Sequence, residues 1–522
     1  MKKTLALLLT LLLLMTSSAF AEIPGFWNPP PVNEGQYPCG DGSITLTYWM
    51  SINAGAANFI ASYDENPAFI QLQENTGIDI EFIHPTVGME GEQFNLLMAS
   101  GDLPDLILMD SESLYEGGLK QMYADGAIID IAPYLEELAP QYLACINASE
   151  ISQKQIMSGD NGEVFGFYRM SHAGAFPYLR MIARKDWLEE FNMSEPMTIA
   201  EYEAYFQAIL DNKPGVTPLY ARGLADSNSH LLMGAFDIIG DFFVKDDVVG
   251  HYANADGYKE YLQLMADWYS KGYLSKDFAS LSGTEITAMF DNGTLGMYPD
   301  SVDASLVRTK EIGIPSTNLP YMRKAVDSKL HSEISSTPVD TSFPRVTVIT
   351  SACENVEAAI AFLNYAYTYE GSLVANWGVE GETWVWGEDG LPKFTAQYTD
   401  NPDGMTTSNC AYALRCHLFS KYTYADYICG LTDEQQVANR MLWYGDPNID
   451  SALRLPPLNF SSEEISQRED LMNQVNTYID EMALRFITGQ ESFDNWDTYV
   501  ETVNNMGLLE AISITQTAYN RF

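Results

Sequence analysis

The chain has 522 residues, with 28 Lys+Arg against 71 Asp+Glu and a formal net charge of −43. A nucleic-acid binder needs clustered cations to neutralise phosphates, and an anionic lipid surface repels such a chain, so both partner classes are excluded. Hydrophobic residues make up 46%, enough for large cores, and the length suits about two to four ordinary domains.

The chain opens "MKKTLALLLTLLLLMTSSAFAE". Lys2 and Lys3 precede an apolar run from Leu5 to Met15, and Ala19-Phe20-Ala21 supplies small residues at a cleavage point, the pattern of a signal peptide over 1–21. The first cysteine is Cys39, beyond that point, so the expectation is an exported protein without a lipid anchor, periplasmic or at the cell surface. Residues 22–42 are rich in Pro and Gly and read as a tether. "ITLTYW" (44–49), "IDIEFI" (78–83) and "PDLILM" (104–109) read as strands, separated by the helical runs 66–77 and 92–100. This alternation indicates a parallel sheet with right-handed crossovers, in which ligands sit beyond the carboxyl ends of the strands. Trp49 and Asp110 are therefore candidate ligand-binding residues; the competing role for Asp110 is capping the next helix.

Further along, "SGDNGEVFGFY" (158–168) reads as a hairpin turning at Asn161-Gly162. "YLRMIARKDWLEEF" (178–191) reads as a strand running into a helix. Thr198 and Glu201 form a capping box, with Ile199, Tyr202, Phe206 and Ile209 on one apolar face. Residues 256–274 form another amphipathic helix, "RVTVIT" (345–350) is a strand, and acid-rich helices cover 461–488 and 494–512. In "NWGVEGETWVWGEDG" (376–390) Trp384 and Trp386 share one strand face, and Trp386 is expected to pack under the adjacent helix. Export permits disulfides, and a local bridge among Cys410, Cys416 and Cys429 competes with isolated buried thiols. The six histidines fall singly, and no Gly-x-Ser-x-Gly elbow, Walker loop or dinucleotide turn occurs. No metal, no cofactor and no enzymatic activity are expected.

"EQFNLLMASGDLPDLI", "ARKDWLEEFNMSEPMTIAEYEAY", "FDNGTLGMY" and "NYAYTYEGSLVANWGVEGETW" resemble the extracellular solute-binding proteins of carbohydrate ABC importers. The resemblance is to their long oligosaccharide- and alginate-binding subgroup, and it runs from about Ile44 to Phe522. It implies an α/β, periplasmic-binding-protein-like type II fold: two lobes, a hinge, a ligand cleft between the lobes and extra C-terminal helices. The lobes would comprise 43–167 plus 299–368, and 168–298 plus 369–522. The implied function is capture of a carbohydrate by a monomer and its delivery to membrane permease subunits; the alternatives are a secreted carbohydrate-active enzyme or a sensor subunit. Tyr168, Arg169, Tyr298 and Asp300 at the crossings join the candidate site, and the loop 410–427 adds Arg415 and His417 by resemblance. Where some relatives carry a calcium loop, this chain reads "LDNKPGVTPLY" (210–220), without the alternating oxygen ligands. The expected solute is a neutral or weakly acidic oligosaccharide.

Overall fold

The computed structural model describes residues 37–110, 114–148, 150–157, 159, 161–171, 179–221, 230–302, 304–331, 345–424, 427, 449–450, 453–456, 458 and 460–522. The expected signal peptide, residues 22–36 of the tether, Ser111, Glu112, His172 and Cys429 lie outside them. The strands of the two main sheets are, in chain order, β1 (Thr45–Trp49), β2 (Asp79–Ile83), β3 (Leu106–Met109), β4 (Phe167–Tyr168) and β5 (Leu179–Arg184). They continue with β6 (Thr217–Leu219), β7 (Leu295–Ser301), β8 (Ser316–Asn318) and β9 (Val346–Ile349). The helices that matter below are α1 (Pro67–Thr76), α2 (Glu90–Ser100), α3 (Ile199–Asn212) and α4 (Asp256–Lys271). After them come α5 (Val356–Tyr365), α6 (Tyr369–Trp377), α7 (Ser462–Thr488) and α8 (Leu509–Arg521).

The chain divides into one unit of Met1–Ala175 with Ser335–Glu434 and another of Phe176–Ile334 with Gln435–Phe522. The second and third exchanges thus fall after the expected 298 and 368, for reasons visible in the pairing. Tyr422–Thr423 runs parallel to Met170–Ser171, and the Met170 N–H donates to the Lys421 carbonyl at 2.8 Å, which draws the loop 410–424 into the first unit. β7 continues through Ser301, in register with Leu179 of β5, which keeps the residues after 298 in the second.

The first unit holds a five-stranded sheet in the order β2-β1-β3-β9-β4. β1 pairs in parallel with β2 and β3, whereas β9 enters antiparallel, Val346 standing opposite Met109 on one side and Tyr168 on the other. β3 and β9 are buried along their whole length, which accounts for the apolar run of β3, while the one polar residue of β9, Thr347, meets the Tyr48 and Ser420 hydroxyls at 2.6 and 2.8 Å. α1 starts where the Asn66 side chain accepts from the Ala68 and Phe69 N–H groups and ends at Gly77, whose φ of 70° suits a residue without a Cβ. The turn at Asn161-Gly162 is held by Glu163, but among the described residues no strand precedes it to complete the expected hairpin. The strand that follows is β4, which pairs with β9.

The second unit has a four-stranded sheet in the order β8-β5-β7-β6, with β5 antiparallel to both neighbours. The capping box of α3 forms as expected, burying Tyr202, Tyr205, Phe206 and Ile209. α4 and α7 meet through Tyr258, Leu262, Trp268, Val475, Ile479 and Phe486, all in one core. The helix expected over 494–512 is broken: Gly507, at φ 119°, separates Trp496–Val503 from α8. Cys39, Cys145, Cys353, Cys410 and Cys416 carry free thiols, so Cys410 and Cys416 do not bridge. Burial pushes the Cys416 thiol up to about 12, leaving it unreactive.

Candidate functional site

β1, β2, β3 and β4 all end at the same edge of the first unit's sheet, and the antiparallel β9 begins there. That edge presents His84, Asp110 and Arg169 from strand ends and Arg345 from the start of β9. Two predicted residues stand at it as scaffold. Trp49 is 4% exposed and packs its ring on Phe94 at 5.8 Å, because the last residue of β1 still lies under α2. Tyr168 is 1% exposed. Its N–H donates to the Tyr142 hydroxyl at 3.0 Å and its carbonyl accepts from the Tyr367 hydroxyl, closing the open side of β4. His84 is also fixed: Nε2 accepts from the Tyr63 N–H at 3.1 Å, so Nδ1 carries the proton and donates to the Met50 carbonyl at 2.7 Å.

The charged rim is built by the remaining residues. Arg345 Nε donates to Asp110 Oδ1 at 2.8 Å, with side chains 16% and 45% exposed. The Arg169 N–H donates to the Arg345 carbonyl at 3.0 Å, holding the two arginines on neighbouring strands. His417 is half-buried, edge-on to Tyr412 at 4.7 Å. Its pKa is held well below the usual 6.5, first by burial and then by the cations Arg169, Arg415, Lys421 and Arg345. The imidazole is therefore neutral.

Arg415 is placed differently from the expectation. It is 4% exposed, donates to the Asn376 carbonyl at 2.5 Å and lies over the Tyr398 and Phe394 rings at 4.9 and 5.2 Å. Lys421 Nζ donates to the Ala375 and Cys416 carbonyls at 2.8 and 2.7 Å. Both cations thus occupy the carboxyl terminus of α6, where orphan carbonyls and the negative end of the helix dipole favour positive charge. Arg415 is a helix cap, and its solvent-facing role fails for that reason.

In the second unit, Tyr298 is 2% exposed and donates to Asp300 Oδ2 at 2.8 Å. Asp300 also pairs with Arg308 at 3.4 Å, and the guanidinium lies over the Tyr298 ring at 5.2 Å. Burial and Asp300 raise the Tyr298 pKa, so its hydroxyl stays a donor. Tyr298 therefore gives packing to this sheet edge, while the Asp300 side chain remains 30% exposed.

Trp386 departs from its expected packing. It is 44% exposed, whereas Trp384 takes the buried position at 2% and meets it edge-on at 5.1 Å. Sequence reasoning missed Arg345 and Lys421. The signal for Arg345 was the strand "RVTVIT" itself: once it runs antiparallel, the residue before it stands at the ligand edge. Among the described residues, no group of three or more His, Cys, Asp and Glu is placed to hold a metal ion.

A family model described as bacterial extracellular solute-binding protein matches residues 68–378. The polygalacturonan/rhamnogalacturonan-binding protein YtcQ of Bacillus subtilis (strain 168) is 23% identical over 472 residues, 87% of each chain. The fructooligosaccharide ABC transporter substrate-binding protein FusA of Streptococcus pneumoniae is 20% identical over 501 residues, 90% of this chain and 89% of its own. Among solved structures, the alginate-binding protein AlgQ2 without calcium ion superposes with a TM-score of 0.68 at 20% identity, over 91% of this chain and 98% of that one. That likeness shows the fold, a type II solute-binding architecture.

Proposed function

The chain belongs to the bacterial extracellular solute-binding protein family, and from that premise we propose that it captures a carbohydrate outside the cytoplasm and delivers it to an ABC importer. The observation that carries the reading is the carboxyl edge of the five-stranded sheet. There Asp110, Arg169, Arg345 and His417 offer a charged acceptor, two forked donors and a neutral imidazole on rigid elements. Sugar hydroxyls are recognised by such planar polar groups. The relatives named for polygalacturonan/rhamnogalacturonan and for fructooligosaccharides support a saccharide as the solute. Asp300 contributes an acceptor at the edge of the second unit's sheet. Trp49, Tyr168, Tyr298 and Arg415 position the binding groups without touching the solute.

The partner is the extracytoplasmic face of permease subunits, and the protein acts as a monomer exported by its signal peptide. No described helix is long and apolar enough to cross a membrane. The test is a glycan panel read by thermal shift and titration calorimetry, with mass spectrometry of the recovered sugar. A raised melting temperature with intact ligand is expected; a free ligand at 100 times its Kd adds about 2.7 kcal/mol. Cleaved sugar would replace this reading with that of a hydrolase.

A further inference from the structure

His251 takes no part in the charged rim and is fully buried in the second unit. It ends the hairpin of strands Phe242–Lys245 and Val248–His251, where it stands opposite Phe242. Its ring lies flat on Tyr252 at 4.6 Å and meets Phe242 edge-on at 4.7 Å. Nδ1 accepts from the Ala253 N–H at 3.2 Å and so caps the short turn Tyr252–Asn254 that leads into α4. The proton therefore sits on Nε2, which is buried and finds no acceptor among the described residues. Tyr258 of α4 stands behind Tyr252 at 4.9 Å. Of the charges on the surrounding elements, Arg468 of α7 lies over Phe242 at 5.8 Å and interacts with Asp241, while Asp247 accepts from the Tyr519 hydroxyl of α8 at 3.0 Å. Arg454 bridges to Phe243, and Asp256 opens α4. Burial alone sets the basicity of His251 and holds its pKa down to about 3.

The same hairpin is fastened to the C-terminal helix. The Val249 N–H donates to Gln516 Oε1 at 2.7 Å, and Gln516 Nε2 donates to the Asp247 carbonyl at 3.1 Å. The Tyr252 N–H donates to the Asp241 carbonyl at 3.0 Å, and Asn254 Nδ2 donates to Asn504 Oδ1 at 3.1 Å. We propose that His251 is an acid latch on this seam: protonating it parts the hairpin and its capped turn from α8 while the core of the second unit stays folded. The inference goes beyond the carbohydrate reading and does not depend on it. A second proton turns Nδ1 into a donor facing the Ala253 N–H, and it leaves a charge among aromatic rings. Both costs vanish once the ring swings into water. A histidine whose folded-state pKa is depressed supports the closed state fully above its usual 6.5, and progressively less as pH falls toward 3. Opening should therefore gain about tenfold per pH unit below 6.5, or roughly hundredfold between about pH 7.5 and about pH 4.5.

The experiment is amide hydrogen exchange at about pH 7.5 and about pH 4.5, read on peptides by mass spectrometry and corrected for the intrinsic rate. Peptides covering 242–254 and 509–521 should lose roughly hundredfold in protection, while those of α3 keep theirs. His251→Asn retains an acceptor for the Ala253 N–H but carries no titrating proton, so its protection should not change with pH. Where that variant fails to fold, exchange of the imidazole Cε1 hydrogen titrates His251 in the unaltered protein, with a midpoint well below 6.5 expected. A midpoint near 6.5 overturns the latch. So does protection that holds across the range in the native chain, or that falls equally in His251→Asn. Loss of protection in α3 in step with the hairpin would mean global unfolding, and overturns it as well.

Discussion

Lys421 shows how one residue can work against folding while holding a loop in place. It is 3% exposed, and its ammonium is held by two carbonyls at 2.8 and 2.7 Å. Burial, with Arg169 and Arg415 next in effect, holds its pKa well below 10.5. The folded state then binds this proton more weakly than the unfolded chain. Its cost is fully present below the folded-state pKa and fades as pH climbs toward 10.5. Within that window one such proton steepens stability by about 1.4 kcal/mol per pH unit. The buried tyrosines, whose pKa values burial raises, reduce stability only above their unfolded value of 10.0. Denaturant titrations carried upward through the alkaline range to about pH 10 should show rising stability for the native chain and a flatter profile for Lys421→Met. Parallel profiles would mean that Lys421 stays charged when folded.

α6 is the element on which the rim depends. Its last carbonyls are taken by Arg415 and Lys421, and Gly378 follows with φ 89°. A Cβ at Gly378 would stand 2.9 Å from the Leu414 carbonyl oxygen, in the loop that leads to His417. Gly378→Ala should therefore cost about 2–4 kcal/mol through backbone strain and collision. Measured below its melting temperature, the variant should also bind more weakly, because the loop 414–421 must shift. Unchanged melting would show that the carbonyl yields freely. Local rules had made much of the surrounding fold readable. The expected strand segments became β1, β2, β3 and β9, the strand running into a helix became β5 with Lys185–Glu190, and the Thr198–Glu201 box caps α3. What stayed hidden depends on partners distant in sequence. The antiparallel insertion of β9 puts Arg345 beside Asp110, 235 positions earlier. A helix end 39 residues away claims Arg415. Asp110 was legible at the rim because strand ends alone place it, whereas the burial of Trp49 and Tyr168 followed from helices packed over the sheet. Trp386 failed in the other direction, since its neighbour Trp384 already filled the space beneath the helix.

At the scale of the whole molecule, two electrostatic effects oppose each other under salt. Exposed pairs such as Lys324–Glu260 at 2.6 Å and Lys271–Asp267 at 2.6 Å add attraction, but each such pair contributes only about 0–1 kcal/mol and is weakened by screening. Against them stands the self-repulsion of a chain at −43, summed over 71 acids that 28 cations cannot cover. Repulsion acts over tens of ångströms, and the Debye length falls from about 30 Å at 0.01 M salt to about 10 Å at 0.1 M. Modest salt therefore removes long-range repulsion sooner than it breaks close pairs. The melting temperature should rise by a few degrees between about 10 mM and about 200 mM NaCl, and level off as screening saturates. Choline chloride should reproduce the rise, since the effect comes from ionic strength and not from sodium held at a site; sulfate is avoided because it strengthens apolar burial by exclusion. A melting temperature that falls over the same range would show that ion pairing, and not net charge, governs the stability of this protein.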